Sequence, residues 1–265
     1  MNQLEDSSKT NCKRGIALVT GGSRGIGRGI AQHLAAAGFV VAINYRSDQA
    51  AAEQCVEELT DRHGLDCAHA IKADVSEPTA QADLLKQLTQ HWPDQQLTCL
   101  VNNAGITRDN LLIRMKPEEW SAVIETNLEA VRSLSMQALP LLQESGGQII
   151  NLSSVVGLHG NAGQANYAAA KSGVIALTKL MSRLLMPLVR VNCIAPGLVA
   201  TDMTAEFDLN ALSETRLGRA GAPADIAQAV RWLAIQAPYV TGQVVSVDGG
   251  LMHWSEVSEL VTAGS

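Results

Sequence analysis

Short apolar runs and longer segments of helical periodicity alternate along nearly the whole chain. None of the neighbouring apolar runs is joined by a short β-hairpin turn sequence. Parallel strands need a long crossover connection, usually a helix, so the alternation predicts a doubly wound α/β fold: one parallel sheet with helices on both faces. Seven strands are predicted, at residues 16–20, 39–44, 67–73, 97–102, 148–153, 189–194 and 243–247.

The predicted helices connect these strands. Apolar residues repeat at helical spacing over residues 25–37, 78–91, 117 to about 144, 166–185 and 223–235. A further helix follows the second strand and has Ala50, Val56 and Leu59 on one face. The helix that starts at residue 117 is predicted to break near Asn127.

The chain of 265 residues fits one α/β domain with a sizeable core. No linker, repeat or low-complexity stretch divides it. We therefore interpret residues 15–250 as the folded domain, residues 1–14 as a flexible N-terminal segment and residues 251–265 as a C-terminal tail.

The composition argues against several classes of protein. The net charge of −6 disfavours nucleic acid as a partner, because phosphate binding needs a basic surface. No apolar run is long enough to span a bilayer, and the N-terminus lacks the apolar core of a signal peptide. The five cysteines and six histidines are scattered. We therefore expect reduced thiols, no metal site, no membrane partner and a cytoplasmic location.

A glycine-rich segment, T-G-G-S-R-G-I-G at residues 20–27, separates the first predicted strand from its helix. Glycine permits the unusual φ values of a tight turn and close approach of the backbone to a pyrophosphate, and the helix N-terminus offers free N–H groups. An ordinary glycine-rich turn is the alternative, which the strand before and the helix after disfavour. The predicted cofactor contacts in this loop are Gly21, Ser23, Arg24, Gly25, Ile26 and Gly27.

The end of the second strand indicates which dinucleotide is bound. An NAD site usually has an acidic residue there, which holds the ribose 2′-hydroxyl. This strand instead ends with Asn44, Tyr45 and Arg46, and the nearest acid, Asp48, is explained as a helix N-cap. Arg46 and Arg24 converging on a 2′-phosphate would favour NADPH, whereas two solvated surface arginines are the alternative.

Further motifs occur in order: N-N-A-G at residues 102–105, T-N-L around Asn127, L-S-S-V-V-G at 152–157, Y-A-A-A-K at 167–171, A-P-G at 195–197 and T-D-M at 201–203. Over about residues 13–250 the sequence thereby resembles the short-chain dehydrogenase/reductase family of Rossmann-type oxidoreductases. Within that family, residues 103–115 and 160–171 are similar to 3-oxoacyl-[acyl-carrier-protein] reductases. Each motif is weak alone, but their joint occurrence is specific.

The Y-A-A-A-K motif carries the predicted chemistry. Tyr167 and Lys171 are four residues apart in a helix and so project on one face. A cation there is expected to lower the tyrosine pKa from about 10, which would suit Tyr167 as the proton donor in carbonyl reduction. Ser154, at the end of a strand, can hydrogen-bond the same substrate oxygen. Its neighbour Ser153 is interpreted as structural.

The resemblance implies roles for further residues. It implies that Lys171 also holds the nicotinamide ribose, and that Asn127 completes a proton relay through a bound water. A helix kink or cap is the alternative for Asn127. The resemblance also implies cofactor contacts at Asp74 and Val75 beside adenine, at Asn103, Ala104 and Gly105 beside the adenosine ribose, and at Pro196, Gly197, Val199 and Thr201 towards the nicotinamide.

The predicted substrate is a 3-oxoacyl thioester on an acyl carrier protein, in fatty-acid or polyketide synthesis. The usual basic docking positions differ here, because Glu144 and Ser145 precede the fifth strand and the end of the Tyr167 helix is shortened around Pro187. The remaining docking candidates are Arg108, Arg114, Arg183 and Arg190. Reduction of acetoacetyl-CoA or another ketone is the alternative activity, and a non-catalytic dinucleotide-binding subunit is the alternative class.

The Tyr167 helix is predicted to carry more apolar surface than packing on the sheet requires. Such a stripe often marks a subunit contact, and the resemblance implies dimers that pair into a tetramer. We therefore expect a homotetramer or dimer. The apolar positions are Gly173, Ala176, Leu177, Leu180, Met181, Leu184 and Leu185.

Overall fold

The computed structural model describes residues 13–64, 66–204 and 215–253, and in it seven parallel strands form one sheet. The strand order is β3-β2-β1-β4-β5-β6-β7. The strands are β1 (Ile16–Val19), β2 (Val40–Tyr45), β3 (Ala68–Lys72), β4 (Leu97–Asn102), β5 (Gln148–Leu152), β6 (Arg190–Pro196) and β7 (Val244–Val247). The predicted fold class and all seven predicted strands are confirmed.

Helices connect successive strands, as predicted. They are α1 (Gly25–Ala36), α2 (Gln49–His63), α3 (Pro78–His91), α4 (Pro117–Ile124), α5 (Ala130–Ser145), α6 (Val156–His159), α7 (Ala165–Leu184) and α8 (Pro223–Ile235). The predicted break near Asn127 is a π-helical turn, Glu125–Glu129, between α4 and α5. The short helix α6 was not predicted, because Gly157 within it and Gly160 and Gly163 after it indicated a glycine-rich loop.

The hydrophobic core lies on both faces of the sheet. In β1, Ile16 and Leu18 pack on the face covered by α3, α5 and α7, whereas Ala17 and Val19 pack on the face covered by α1, α2 and α8. All four side chains are fully buried. Burial on both faces explains why the strands are continuously apolar, and each large aliphatic side chain buried this way contributes about 1.5–3 kcal/mol.

The strand order reverses beside β1, which has β2 on one side and β4 on the other. The chain leaving β1 therefore runs to one side of the sheet, and the chain leaving β4 runs to the other. A crevice opens where such connections diverge, at the carboxyl ends of the strands. The glycine loop follows β1 and residues 103–105 follow β4, so both predicted cofactor loops lie at this crevice.

Most of the two predicted terminal segments, residues 1–12 and 254–265, lies outside the described residues. Residues 205–214, which follow the T-D-M motif, also lie outside them.

Candidate active site

The glycine loop between β1 and α1 has the conformation expected of a phosphate-binding turn. Gly21 and Gly25 have φ of +61° and +54°, in the left-handed region that side chains disfavour. A Cβ at Gly27 would overlap the carbonyl oxygen of Gly21 and lie 2.6 Å from Asn103 Nδ2. The loop therefore needs glycine at all three positions, for its backbone shape and for contact with the neighbouring loop.

The loop after β4 is fastened to the glycine loop. Asn103 Nδ2 donates hydrogen bonds to Thr20 O at 2.8 Å and Gly21 O at 3.1 Å. In return, Thr20 Oγ1 accepts hydrogen bonds from the backbone N–H groups of Asn103 and Ala104, at 2.9 and 3.0 Å. These four bonds fix the two predicted cofactor loops against each other before any ligand binds.

The end of β2 lies against the same loops. Asn44 is buried: its Oδ1 accepts a hydrogen bond from Gly21 N at 3.3 Å, and its Nδ2 donates to Ala73 O at 3.0 Å. Asn44 thus connects the glycine loop to the end of β3 and takes no ligand. Asp48 accepts a hydrogen bond from Ala51 N at 3.1 Å, which confirms its interpretation as an N-cap.

The residues predicted to bind the adenosine end are grouped there too. Arg46 is exposed, and its Nη1 lies 3.8 Å from Asp74 Oδ2, which makes a long ion pair. Tyr45 and Val75 are buried beside them. Arg24 is the exposed, extended residue before α1. Both arginines predicted to bind the 2′-phosphate are therefore exposed, and among the described residues Arg46 has only Asp74 as an ion-pair partner.

The other end of the cofactor path reaches the loop after β6. A Cβ at Gly25 would lie 3.4 Å from Thr201 Cγ2, so the glycine loop and Thr201 are close neighbours. Gly197 packs on Asp248, whose Cα would lie 2.7 Å from a Cβ there, and Pro196 O accepts a hydrogen bond from Val155 N at 2.9 Å. Val199 is buried and bridges to Gly221.

The predicted catalytic side chains meet where β5 and α7 approach each other. Lys171 Nζ lies 5.6 Å from the centroid of the Tyr167 ring, one helical turn away on the same face of α7. It donates a hydrogen bond to Leu152 O at 2.7 Å. Ser154, two residues after Leu152, lies close enough to the Tyr167 phenol to lower its pKa. The structure therefore brings Ser154, Tyr167 and Lys171 together.

The pKa values of these groups depart from the expectation. Burial raises the pKa of Tyr167 to about 12; the hydrogen bond with Ser154 acts in the opposite direction, and the nearby charge of Asp109 raises the pKa further. Burial also lowers the pKa of Lys171 to about 8. The prediction that the Tyr167 pKa is lowered is thus wrong, because desolvation of the phenol is the largest effect on it.

Asn127 is fully buried in the π-helical turn. Its Oδ1 accepts a hydrogen bond from Ile106 N and its Nδ2 donates to Ile106 O, both at 2.8 Å. Both polar atoms of its side chain are therefore hydrogen-bonded to the residue that follows Gly105. A Cβ at Gly105 would lie 3.2 Å from Asn127 Oδ1 and 3.7 Å from Lys171 Nζ, so this loop also reaches the catalytic group.

The interpretation of Ser153 as a structural residue is confirmed. It is buried, and its Oγ donates a hydrogen bond to Lys171 O at 2.8 Å. This bond ties the end of β5 to α7 at the residue that carries the ammonium group.

The docking arginines predicted from the sequence lie in two places. Arg190, the first residue of β6, donates hydrogen bonds to Gln148 Oε1 at 2.8 Å and to the carbonyl oxygens of Ala237 and Val240, both at 3.1 Å. Its prediction as a docking residue is wrong, because its guanidinium is engaged inside the protein at the amino edge of the sheet. Arg183 is exposed near the end of α7, about 24 Å along the helix from Tyr167.

Arg108 and Arg114 are exposed on the segment that leaves Gly105. They remain the basic candidates beside the catalytic group. The segment also exposes Leu111, Leu112 and Ile113, so basic and apolar side chains are mixed there.

The sequence reasoning gave no role to Asn166, which the structure places at the centre of this region. It is fully buried and forms hydrogen bonds to three different segments of the chain. A polar residue directly before the predicted proton donor was the only available signal, and its burial could not be read from the sequence.

Comparison with known proteins gives the class. A family model described as enoyl-(acyl carrier protein) reductase matches residues 21–252. The chain belongs to the short-chain dehydrogenase/reductase family, and the predicted oxidoreductase class is confirmed.

Individual relatives are also similar over most of their length. The 3-oxoacyl-[acyl-carrier-protein] reductase FabG of Staphylococcus aureus strain MW2 is 47% identical over 242 residues, which cover 89% of this chain and 97% of that protein. The 3-oxoacyl-[acyl-carrier-protein] reductase of a Synechocystis species is 45% identical, with 89% and 96% covered. FabG of Chlamydia muridarum is 44% identical with the same coverage.

No helix within residues 13–64, 66–204 and 215–253 combines the length and apolar character needed to cross a bilayer.

Proposed function

We propose that this protein reduces a 3-oxoacyl thioester to the 3-hydroxyacyl thioester with NADPH, and that the acyl group is carried by an acyl carrier protein. The meeting of Ser154, Tyr167 and Lys171 beside the glycine loop is the observation that carries the proposal. The names of the relatives support the substrate. Their reaction at a carbonyl group also fits a phenol paired with a hydroxyl better than the enoyl reduction named by the family model.

The residues of the chain fit a nicotinamide dinucleotide. The left-handed glycines leave backbone N–H groups exposed at the start of α1 for a pyrophosphate, and the fastened loop at residues 103–105 lines the path to Lys171. We assign cofactor contacts to the predicted residues: Gly21, Ser23, Arg24, Gly25, Ile26, Gly27, Tyr45, Arg46, Asp74, Val75, Asn103, Ala104, Gly105, Tyr167, Lys171, Pro196, Gly197, Val199 and Thr201. When bound, the cofactor supplies the hydride that adds to the carbonyl carbon.

The catalytic side chains then act on the carbonyl oxygen. Tyr167 donates its proton to that oxygen, and Ser154 donates a hydrogen bond to it as negative charge develops. The high Tyr167 pKa keeps the phenol protonated, which suits a proton donor in the reductive direction. The low pKa of Lys171 lets its ammonium release a proton near neutral pH and so return one to the tyrosine. Since the Asn127 side chain is committed to Ile106, a relay through Asn127 would use its backbone carbonyl.

The side chains at the end of β2 support the proposal of NADPH rather than NADH as the cofactor. Arg46 is exposed and held by Asp74 only at 3.8 Å, so a 2′-phosphate can compete for its guanidinium. No acidic side chain occupies the position that an NAD site uses, because Asn44 is buried there in structural hydrogen bonds.

Reduction of a CoA-linked or free ketone is the second candidate, and the position of Arg190 favours it. With Arg190 engaged inside the protein, a basic docking surface depends on Arg108, Arg114 and Arg183. An acidic carrier bound by such a surface should dissociate as salt increases.

A substrate comparison separates the two. Acetoacetyl groups linked to acyl carrier protein and to CoA would be reduced with NADPH at low and high salt, and kcat/KM measured for each. We expect a preference for the carrier form that added salt weakens. Equal salt responses without a carrier preference would favour the CoA or free-ketone activity, and no reduction of either would refute the proposal.

The exposed apolar surface supports a homotetramer. On α7, Ala176, Leu180 and Leu184 are exposed, whereas Met181 is in the core, so the apolar stripe is narrower than predicted. Trp232 and Tyr239 are exposed at and beyond α8. We propose that these two surfaces form two kinds of two-fold contact. Light scattering at micromolar concentration should give the mass of a tetramer, and Leu180→Glu should reduce it.

A cytoplasmic location is proposed as well. Cys55, Cys99 and Cys193 are buried free thiols, which suits a reducing compartment.

A further inference from the structure

The segment 106–116 begins at the catalytic centre. Its first residue, Ile106, is held by Asn127 through both its N–H and its carbonyl group. The residue before it, Gly105, lies against Lys171 Nζ. Any movement of this segment therefore displaces backbone atoms next to the groups that are proposed to reduce the substrate.

Asn166 joins this segment to the start of α7. Its Nδ2 donates one hydrogen bond to Arg108 O at 2.9 Å and one to Glu119 O, in α4, at 3.1 Å. Its Oδ1 accepts a hydrogen bond from Tyr167 N at 2.7 Å. The N–H groups in the first turn of a helix have no partner within the helix, so this last bond satisfies a group that otherwise lacks one.

Two further bonds join the same two parts of the chain. Gln164, which precedes α7, donates from Nε2 to Asp109 Oδ2 at 2.8 Å. The backbone N–H of Asn110 donates to Gly163 O at 2.8 Å, which forms an isolated parallel bridge. Residues 108–110 are thus fastened to residues 163–166 by side chains and backbone together.

We propose that Asn166 is a positioning residue that couples the segment 106–116 to Tyr167, so that the chain beside the substrate and the proton donor keep one fixed relative position. Because Asn166 is fully buried, an apolar replacement removes one hydrogen bond from each of two carbonyl groups, Arg108 O and Glu119 O, and the side-chain acceptor of the Tyr167 N–H. Only the expected effect of this coupling on the reaction rate rests on the proposed function.

The charges around Tyr167 support the coupling. Three elements bring polar or charged groups to it: Lys171 from α7, Ser154 from the chain after β5, and Asp109 from the fastened segment. The carboxylate of Asp109 disfavours the phenolate and so helps to keep the phenol protonated. Holding the segment in place therefore also preserves the charge environment of the proton donor.

The test compares Asn166→Ala with Asn110→Ala. The Asn110 side chain also makes two hydrogen bonds, to Arg114 O and to Glu119 Oε2, both at 3.2 Å, but neither joins α7. The two variants thus remove the same number of donor bonds, and only one of them cuts the connection to Tyr167. Amide hydrogen exchange would be followed in peptides covering residues 106–116 and 163–171, together with kcat, KM and the pH profile.

For Asn166→Ala we expect faster exchange in both peptides and a fall in kcat of roughly ten- to a hundredfold with KM little changed, since misplacing a reacting group by about 1 Å has effects of this size. We also expect the high-pH limb of the rate profile to move. Asn110→Ala should quicken exchange only in residues 106–116 and keep kcat within about twofold.

Equal effects of the two variants, or unchanged exchange in residues 163–171 for Asn166→Ala, would overturn the proposal. If Asn166→Ala does not fold, the exposed substitution Asp109→Ala removes the second connection and should act in the same direction with a smaller effect; no effect on residues 163–171 would count against the coupling. Exchange needs no substrate. A wild-type protein that reduces no 3-oxoacyl thioester would therefore refute the proposed function alone.

Discussion

Lys171 and Arg190 are cations at opposite edges of the same sheet, the first buried and the second partly buried, and they differ in how many acceptors surround them. Lys171 has Leu152 O as its one acceptor within the described part of the chain. Arg190 has four: Gln148 Oε1 and the carbonyl oxygens of Leu233, Ala237 and Val240. Desolvation lowers the pKa of both.

The difference separates a structural cation from a functional one. The guanidinium N–H groups of Arg190 donate hydrogen bonds to acceptors of the protein and so hold the amino edge of the sheet together. Lys171 has three N–H donors and uses one on the protein, beside Ser154 and Tyr167, which leaves donors for a ligand. Substitutions at the carboxyl edge should therefore change catalysis, and those at the amino edge should change stability.

The largest expected effect is that of Tyr167→Phe at the carboxyl edge. Loss of the phenol removes the proton donor and keeps the ring, so reduction should fall by roughly 10²–10⁴-fold while NADPH still binds. Steady-state kinetics and cofactor titration by fluorescence would measure both. Tyr239→Phe, the same change at a tyrosine outside the catalytic group, is the matched control. A near-normal kcat for Tyr167→Phe would contradict the assigned role.

Arg46→Asp should change cofactor choice and leave stability nearly unaltered. Replacing attraction for the 2′-phosphate by repulsion, and offering an acceptor to ribose hydroxyls, should shift the ratio of kcat/KM towards NADH by roughly ten- to a hundredfold. Arg46→Ala separates lost attraction from added repulsion and should give a smaller shift. Comparable kcat/KM values for the two cofactors in the wild type would argue against the NADPH assignment.

Arg190→Met tests the other edge. It removes the hydrogen bonds that Arg190 donates to Gln148 and to three carbonyl groups, so the free energy of unfolding should fall by about 1–3 kcal/mol, with kcat per folded molecule unchanged. Urea denaturation measures the loss. Arg183→Met, an exposed arginine near the same edge, should stay within about 0.5 kcal/mol of the wild type. A drop in kcat without loss of stability would reverse the interpretation of this edge.

The smallest effect concerns the pH dependence contributed by Lys171. Its pKa is lowered from 10.5 to about 8 on folding, so between these values the unfolded chain binds more protons than the folded one. The stability of the wild type relative to Lys171→Met should therefore rise with pH from about 8 to 10.5, by at most about 1.4 kcal/mol per pH unit.

Urea denaturation of both proteins across this range gives the difference, in which the contributions of Cys55 and Cys99 cancel, whereas Cys193 interacts electrostatically with Lys171 and contributes to the difference. Lys179→Met, at an exposed lysine of the same helix, is the matched control. A flat difference for Lys171→Met would show that burial does not disfavour the charged Lys171.

The fold and much of the site could be predicted because both depend on local pattern. Strands buried on both faces must be continuously apolar, and crossover helices must be amphipathic. The pattern of apolar residues therefore predicts the order of strands and helices. The positive φ of Gly21 and Gly25, and the i, i+4 spacing of Tyr167 and Lys171, are likewise set by a few adjacent residues.

What the tertiary structure alone decided is which polar groups become partners across long sequence separations. The sequence indicated that Arg190 was basic and that Asn166 preceded Tyr167, but not that the first would be enclosed by four acceptors or the second buried between three segments. Desolvation likewise reversed the expected pKa shift of Tyr167. Partners and burial both depend on where the folded backbone brings carbonyl groups, and that position is a property of the packed sheet and helices as a whole.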